Sequence, residues 1–372
     1  MRSPAFVTRT VAVANVIVVT AALMALWLIP DPPDPDPPTR RPAGPPSVAA
    51  TVTPKPAETP AEPERWRFPP PIVATPESAR TVRANEAGLV PVLMYHRILK
   101  KRIASIDRTP ADVRDELERL AEQRYVPVTA SEFVDGRIDI PAGTHPVVLT
   151  FDDGHESHFA LGADGMPAKD TAVRIIYDVA QKYPDFRPVA TFWVNREPFG
   201  LRDKAEQQRA VRWLTERGFE VGNHTWGHPS LTAMSRKRAR EQIVRGERML
   251  RQLGVTSFKT FALPYGARPG GKTSYKGEWD GTKYDYRGVF FAGAEPSRSP
   301  YDKEFDRTRI QRVQSNGKKG ECRRWCSKYW LEWLGKRPGE RYTSDGDPGR
   351  ISVPKKLRGN IAVKGSQQVN AY

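Results

Sequence analysis

The sequence predicts an α/β fold organised around a parallel sheet or an α/β barrel. Short apolar runs of β type alternate with amphipathic helical runs from Leu89 onward, and this alternation is typical of such folds. Polar side chains follow four of the strand-like runs, at the ends where parallel α/β folds collect their chemistry. Two cysteines, the lack of a Gly-x-y period and a mean hydropathy of −0.59 exclude a disulfide scaffold, a collagen-like chain and a polytopic membrane protein.

The first 30 residues contain one long apolar run, from Val11 to Ile29, close to the roughly 20 residues that a membrane-spanning helix needs. Arg2 and Arg9 precede it, as expected of a signal anchor. A cleaved secretory signal is the alternative. Both interpretations predict a bacterial protein exported across the cytoplasmic membrane. It is either held there by one helix over residues 1–30 or secreted after cleavage.

Residues 31–84 are predicted to be a disordered, proline-rich linker. Of the 35 prolines in 372 residues, 17 fall between Pro30 and Arg80, where few large apolar side chains are available to form a core. The formal net charge of +16 is also uneven, because the residues from Arg307 onward hold 16 Lys and Arg against 5 Asp and Glu. Residues 317–372 are therefore predicted to be a basic C-terminal extension that contacts the anionic cell envelope. From Lys336 onward, where Gly, Pro, Lys and Arg dominate, it is expected to be a long loop or a mobile tail.

The remaining residues, 85–316, are predicted to be one catalytic domain. Its strands are expected at residues 90–96, 146–154, 189–194, 219–224, 257–266 and 287–293. Its helices are expected at residues 111–125, 171–183, 203–217 and 235–254, with a further short amphipathic helix at 328–336. The first helix shows the supporting pattern most clearly, because Val113, Leu117 and Leu120 recur at helical spacing on one face.

Titratable side chains stand at the ends of several predicted strands. These residues are His96, Asp152, Asp153, His224, His228 and Tyr265. Taken singly, a pair of aspartates after a strand can be a turn or a helix cap, and two histidines four residues apart can be solvated. Together, two imidazoles and one carboxylate form a catalytic divalent-metal site, with a second carboxylate as base. The spacing leaves open which aspartate takes which part, and His155 and His158 are a rival histidine pair.

Three motifs carry a family resemblance. TFDDG at 150–154, HTWGH at 224–228 and LPYG at 263–266 resemble, in this order, the motifs of the polysaccharide deacetylases, the NodB homology domain of carbohydrate esterase family 4. The resemblance covers roughly residues 88 to 314. It implies a distorted (β/α) barrel that removes acetyl groups from N-acetylated sugars with one divalent metal ion, zinc, with cobalt or nickel as alternatives.

The resemblance also implies roles for individual residues. Asp152 would be the general base, and the metal ligands would be Asp153, His224 and His228. The backbone N–H of Tyr265 would help to hold the oxyanion. Substrate contacts are expected from Trp226, Pro264 and Tyr265.

Two departures from the family pattern matter. Ala262 stands where many members have an arginine that orients the base, and no histidine follows His228 to serve as general acid. LMYHRI at 93–98 is similar to the poly-N-acetylglucosamine deacetylase branch, in which an early histidine takes the acid position, so His96 is the predicted acid. Arg312 is a candidate for the missing orienting charge, with a solvated arginine on a strand face as the alternative.

Cys322 and Cys326 are spaced one helical turn apart, and an exported location permits a disulfide between them, with two free thiols as the alternative. The predicted function is metal-dependent N-deacetylation of an N-acetylated cell-wall or exopolysaccharide glycan outside the membrane. A catalytically silent glycan-binding protein and a metal-dependent amidase for a small amide are the alternatives. No nucleic-acid recognition motif accompanies the positive charge, so nucleic acid is not an expected partner.

Overall fold

A computed structural model describes residues 70, 72–318, 323–363 and 365–372. The predicted membrane helix over 1–30 and nearly all of the predicted linker lie outside these residues. Within the described part, no helix combines the length and the apolar character that crossing a bilayer requires.

The helices and strands follow one another in the predicted alternation. The helices are α1 Pro76–Thr81, α2 Pro110–Glu122, α3 Ala130–Asp135, α4 Ala172–Lys182, α5 Lys204–Glu216, α6 Arg236–Gln252 and α7 Ser327–Gly335. The strands are β1 Val92–Tyr95, β2 Tyr125–Val128, β3 His145–Phe151, β4 Thr191–Val194, β5 Glu220–Asn223, β6 Thr260–Ala262, β7 Lys276–Trp279, β8 Thr282–Asp285, β9 Gly288–Phe290, β10 Val313–Gln314, β11 Arg350–Val353 and β12 Gln368–Ala371.

Eight strands form one sheet in which every pairing is parallel, which confirms the predicted parallel α/β fold. The path runs β10–β1–β3–β4–β5–β6–β9, and β2 pairs with the first half of β3. The two edges approach each other, because Ile310 bridges to Phe290 while Val313 pairs with Leu93. The sheet therefore curves into a distorted barrel, and all its carboxyl ends open on one rim.

Helices cover the outside of this curved sheet. In α2, Thr109 caps the first turn, Pro110 opens the helix, and the predicted apolar face is buried. One core fills the space between helices and sheet, and a second fills the barrel, where Val92, Val148 and Trp193 point inward. The short helix α3 closes the amino end of the barrel.

The end of the predicted linker is folded. Residues 76–81 form α1, with a Thr75 capping box, and Ala79 and Ala84 are fully buried. The backbone N–H of Ala74 donates to Asp347 of the C-terminal region. The folded part thus begins earlier than residue 85. The proline count hid this helix because Pro76 occupies its first turn, where proline is favourable.

The predicted mobile tail is wrong as well. Strands β11 and β12 pair in parallel, and Tyr342, Ile351 and Val353 are buried in the core that fills the barrel. His145 at the start of β3 donates from Nδ1 to the carbonyl of Tyr342 over 2.8 Å. A few well-placed apolar residues dock this segment, and their contacts outweigh a local composition rich in glycine and lysine.

The sequence patterns also missed β2, α3 and the antiparallel β7–β8 hairpin. Strand β2 contains Pro127, which argues against a central strand, and it pairs only with the amino half of β3. Helix α3 has six residues, too few to show a helical period.

Candidate active site

The predicted site residues gather at the carboxyl rim of the barrel. Asp152 and Asp153 directly follow β3, His224 directly follows β5, and His96 directly follows β1. Tyr265 lies in the turn after β6. The parallel sheet brings these separate segments together because all its strands end on the same rim.

Asp153, His224 and His228 form a compact set of potential metal ligands. One ligand atom from each lies within 4.8 Å of the others, and Asp153 Oδ1 is 3.1 Å from His228 Nε2 and 3.5 Å from His224 Nε2. His224 donates from Nδ1 to the carbonyl of Ala262 over 2.8 Å. Its Nε2 therefore carries a free lone pair, which faces the Asp153 carboxylate.

These donors fit a divalent cation. Asp153 Oδ1 is buried and accepts no hydrogen bond, although the side chain as a whole is 38% exposed. Burial favours the neutral acid, but His228, His96 and His224 outweigh it and lower the pKa of Asp153. Burial lowers the pKa of His224 to about 4, so its imidazole is neutral at physiological pH. Two neutral imidazoles and one carboxylate are the donor set of catalytic zinc sites.

The backbone around the site is unusual. Asp153, Thr225, His228 and Tyr265 all have positive φ, at 75°, 71°, 53° and 57°. Such conformations are costly for residues other than glycine and persist only where the surroundings impose them. Four of them in three neighbouring turns indicate that the fold holds the ligand side chains in place.

Arg312 forms a buried fork with Asp152. Its two terminal nitrogens donate to the two carboxylate oxygens, each over 2.7 Å, and its Nε donates to the carbonyl of Phe291. The guanidinium also lies 5.2 Å from the ring centre of Trp193. Arg312 is 0% exposed, so the alternative of a solvated arginine is wrong. Since Ile310 faces the barrel interior, the residue two positions later faces it too.

The charge of Arg312 governs Asp152. Burial alone would raise the pKa of the Asp152 carboxyl, but Arg312 and then His224 hold it well below its usual range. Asp152 is thus an ionised, rigidly oriented carboxylate. Its Oδ2 lies 3.9 Å from His224 Nε2, beside the ligand set.

His96 is half-buried and its Nδ1 has no hydrogen-bond partner among the described residues. The backbone N–H of Asp152 donates to the carbonyl of Tyr95 over 3.0 Å, so His96, the next residue, lies at the same rim as the two aspartates. The second histidine pair has another part: His158 is fully buried against Phe151 and donates from Nε2 to the carbonyl of His96 over 2.8 Å. The structure thus makes His158 a support for the His96 backbone, which the HESH spacing did not suggest.

The predicted substrate contacts lie around the ligands. The Tyr265 ring packs edge-on against His228, with 4.6 Å between ring centres, and Pro264 is buried beside it. Trp226 is half-buried, and its ring lies under the guanidinium of Arg245 at 4.7 Å. Trp226 is therefore engaged on one face by helix α6.

Cys326 is buried and disulfide-bonded. Cys322, its predicted partner, lies outside the described residues. Cys326 directly precedes α7 and is not one of the three potential ligand residues.

Comparison with known proteins shows a similarity that covers part of the chain. Residues 139–277 match the family model described as polysaccharide deacetylase. Over 127 residues, 34% of this chain and 38% of the relative, the sequence is 28% identical to a peptidoglycan-N-acetylglucosamine deacetylase from Bacillus cereus. Over 97 residues, 26% of this chain and 16% of the relative, it is 38% identical to the peptidoglycan-N-acetylmuramic acid deacetylase PdaC from Bacillus subtilis. The chain thus spans well under half the length of either relative.

Among solved structures, IcaB from Ammonifex degensii is similar over 62% of this chain and 92% of its own, with 21% identity and a TM-score of 0.42. The family model contains three of the four strand ends that build the site, and β1 with His96 precedes it.

Proposed function

We propose that the chain is a hydrolase that removes acetyl groups from an N-acetylated amino-sugar polymer, because residues 139–277 match the family model described as polysaccharide deacetylase. The observation that carries this proposal is the set of Asp153, His224 and His228 directly beside a carboxylate that Arg312 orients. Ligands and base adjoin one another, as the hydrolysis of an amide by water requires.

The proposed division of labour follows the chemistry of each group. Asp153, His224 and His228 would hold one divalent cation, zinc, with cobalt or nickel as alternatives. Such a cation supplies Lewis acidity to the acetyl carbonyl and to the attacking water. Asp152 accepts the proton of that water as its oxygen bonds to the carbonyl carbon.

The remaining residues complete the reaction. The Tyr265 N–H donates to the developing oxyanion, and Arg312 keeps the Asp152 carboxylate turned toward the water. His96 donates a proton to the amine nitrogen as the C–N bond breaks, so the products are acetate and a free amine. Trp226, Pro264 and Tyr265 are proposed to contact the sugar.

The setting is part of the proposal. Residues 1–30 would hold the chain in the cytoplasmic membrane, or direct its secretion if cleaved, with the catalytic domain outside. The names of the two curated relatives favour peptidoglycan as the polymer, and the His96 strand is similar to the poly-N-acetylglucosamine branch.

The direct test is acetate release. The full chain is given zinc, cobalt or nickel and then N-acetylglucosamine oligomers, poly-N-acetylglucosamine or peptidoglycan. We expect acetate from at least one polymer, and loss of metal binding and turnover in Asp153→Ala. With metal shown to be bound, the absence of acetate from every substrate would contradict the proposal and favour the silent glycan-binding protein.

A second variant tests the acid. Replacing His96 with alanine is expected to lower kcat by about 10² to 10⁴, the usual contribution of a general acid, while metal binding stays unchanged. A loss of only a few-fold would show that another group protonates the amine.

A further inference from the structure

The loop after β1 is basic and held rigidly. Asp107 pairs with Arg97 through both carboxylate oxygens and also accepts hydrogen bonds from the backbone N–H groups of Ile103 and Ala104. The loop is therefore ordered around a neutralised ion pair. This ordering leaves Lys100, Lys101 and Arg102 on its outside, all of them exposed.

A second basic loop lies against the first. It follows β10, the neighbour of β1 in the sheet, and Asn316 in it donates from Nδ2 to the carbonyl of Ser105 over 2.5 Å. Its described part carries the exposed Arg323 and Arg324. Because β1 and β10 are parallel, both loops leave the rim on which the candidate active site lies.

We define the rim patch as Lys100, Lys101, Arg102, Arg323 and Arg324. Among the described residues, none of the five forms an ion pair, whereas nearby Arg97 pairs with Asp107, Arg108 with Glu116 and Lys318 with Glu332. The patch begins four residues after His96, beside the proposed acid. It is thus a concentration of positive charge, without ion-pair partners among the described residues, on the rim that carries the candidate active site.

We infer that the rim patch binds the anionic groups of the substrate, and that the natural substrate is an amino-sugar polymer carrying carboxylates or phosphates along its chain. The inference names the substrate class of the proposed function and so rests on it. Exposed charges clustered at a cleft raise the local concentration of an oppositely charged polymer and hold its flanking units.

An anionic membrane surface is the other partner that a positively charged patch could bind. Interfacial binding needs apolar side chains to enter the headgroup region. Of the large apolar side chains exposed among the described residues, which are Ile72, Val73, Ile103 and Val363, only Ile103 adjoins the patch. The position beside the cleft and the shortage of apolar area favour a polymer in the cleft.

The test compares two triple variants of the full chain. The rim variant is Lys100→Gln, Lys101→Gln and Arg324→Gln. The control variant is Lys355→Gln, Lys356→Gln and Arg358→Gln, which removes the same residue types from exposed positions. The three control residues belong to a short 3-10 helix, Lys355–Asn360, which lies near Tyr301. The Tyr301 hydroxyl donates to the carbonyl of Gly136 at the end of α3, so this helix is on the amino side of the barrel.

The readout is binding of labelled soluble glycans of equal length, measured by fluorescence anisotropy at low and high salt and independent of turnover. The probes are neutral N-acetylglucosamine oligomers, peptidoglycan strands with lactyl carboxylates, and a phosphate-bearing wall glycan. We expect at least one anionic glycan to bind more tightly than the neutral one. The affinity for that glycan should fall by about 5- to 30-fold in the rim variant and by less than about 2-fold in the control variant.

The inference is supported if the parent binds the anionic glycan more tightly than the neutral one and the rim variant loses this preference. This holds even if no acetate is released, and in that case only the proposed function fails. Equal binding of neutral and anionic glycans, or equal loss in the rim and control variants, overturns it. Loss of binding to phosphatidylglycerol vesicles with unchanged glycan binding also overturns it, in favour of a membrane surface.

Discussion

Among single residues, the buried ion pair between Asp152 and Arg312 has the largest consequences for stability and for the proposed chemistry. Both side chains are almost fully removed from solvent, at 3% and 0% exposure. Such a pair is stable only because the guanidinium donates to both carboxylate oxygens. Breaking the pair leaves an isolated charge in a low-dielectric interior. The same pair orients the proposed base, so stability and chemistry meet at one contact.

Replacing Arg312 separates these two contributions. Arg312→Met should destabilise the fold by about 3–5 kcal/mol, because it strands the Asp152 carboxylate. Asp152→Asn added to it should recover much of that stability without recovering activity. Thermal unfolding and acetate release measure the two effects. A single variant as stable as the parent would show that the buried pair is not structurally required.

Arg312→Lys keeps the charge but loses the two-pronged geometry. We expect kcat to fall by roughly 10- to 100-fold with a much smaller change in unfolding temperature, since orientation is lost while neutralisation remains. Unchanged kcat would mean that the charge alone suffices.

The C-terminal segment matters most at the scale of elements. Its strands β11 and β12 pack on the core that fills the barrel, and Glu86 near the start of the fold accepts hydrogen bonds from the Tyr342 hydroxyl and the Ser352 backbone. Both ends of the described chain are therefore tied together at the amino side of the barrel. The positive charge of this segment is carried by a folded element.

Deleting residues 337–372 should therefore destroy the fold. The deletion uncovers the core under Ile351 and removes Tyr342 and Ser352, which donate hydrogen bonds to Glu86. We expect insoluble or unfolded protein, seen as a lost cooperative unfolding transition. Ile351→Ala is the milder companion and should cost about 2–4 kcal/mol. A deleted chain that stays folded and active would restore the view of this segment as a mobile tail.

His145, which joins β3 to the same segment, makes stability depend on pH. Burial, followed by the charge of Arg341, lowers the pKa of His145 to about 3, against about 6.5 in the unfolded chain. Between these values the unfolded state binds more protons, so stability is complete above pH 6.5 and falls as the pH drops toward 3. The loss approaches about 5 kcal/mol as an upper limit.

Urea unfolding of the parent and of His145→Asn between pH 7.5 and 4.5 measures this contribution. The difference in unfolding free energy between the two proteins should shrink as the pH falls, because only the parent carries the buried imidazole. A difference that stays constant with pH would show that His145 is not the group responsible.

At the scale of the whole molecule, the candidate site residues lie on the carboxyl rim of the barrel, and helix α3 closes the amino end. At the amino side, α3 donates from the backbone of Ala130 and Ser131 to Thr191 and Glu220, at the first residues of β4 and β5. At the carboxyl side, the ligands stand in strained turns that the barrel supports. A cation held between these ligands would therefore stabilise the folded barrel.

Zinc should accordingly stabilise the folded chain. At a free concentration about 100 times the dissociation constant, binding adds about 2.7 kcal/mol, and in a chain of this size the unfolding temperature should rise by roughly 3–5 °C. Calorimetry with and without metal tests this, with Asp153→Asn as the control that should not respond. An equal rise in that variant would place the binding elsewhere.

Sequence patterns and motifs predicted the parallel α/β fold, the order of the main strands and helices, and the residues that meet at the rim. It could do so because hydrophobic periodicity is local, and because a motif at a strand end must lie on the common rim of a parallel sheet. The tertiary structure alone decided the burial of Arg312 beside an aspartate 160 residues earlier in the chain, and the docking of the C-terminal segment. Both depend on contacts between residues far apart in sequence, where burial and pairing override the local composition from which a tail or a solvated arginine was predicted.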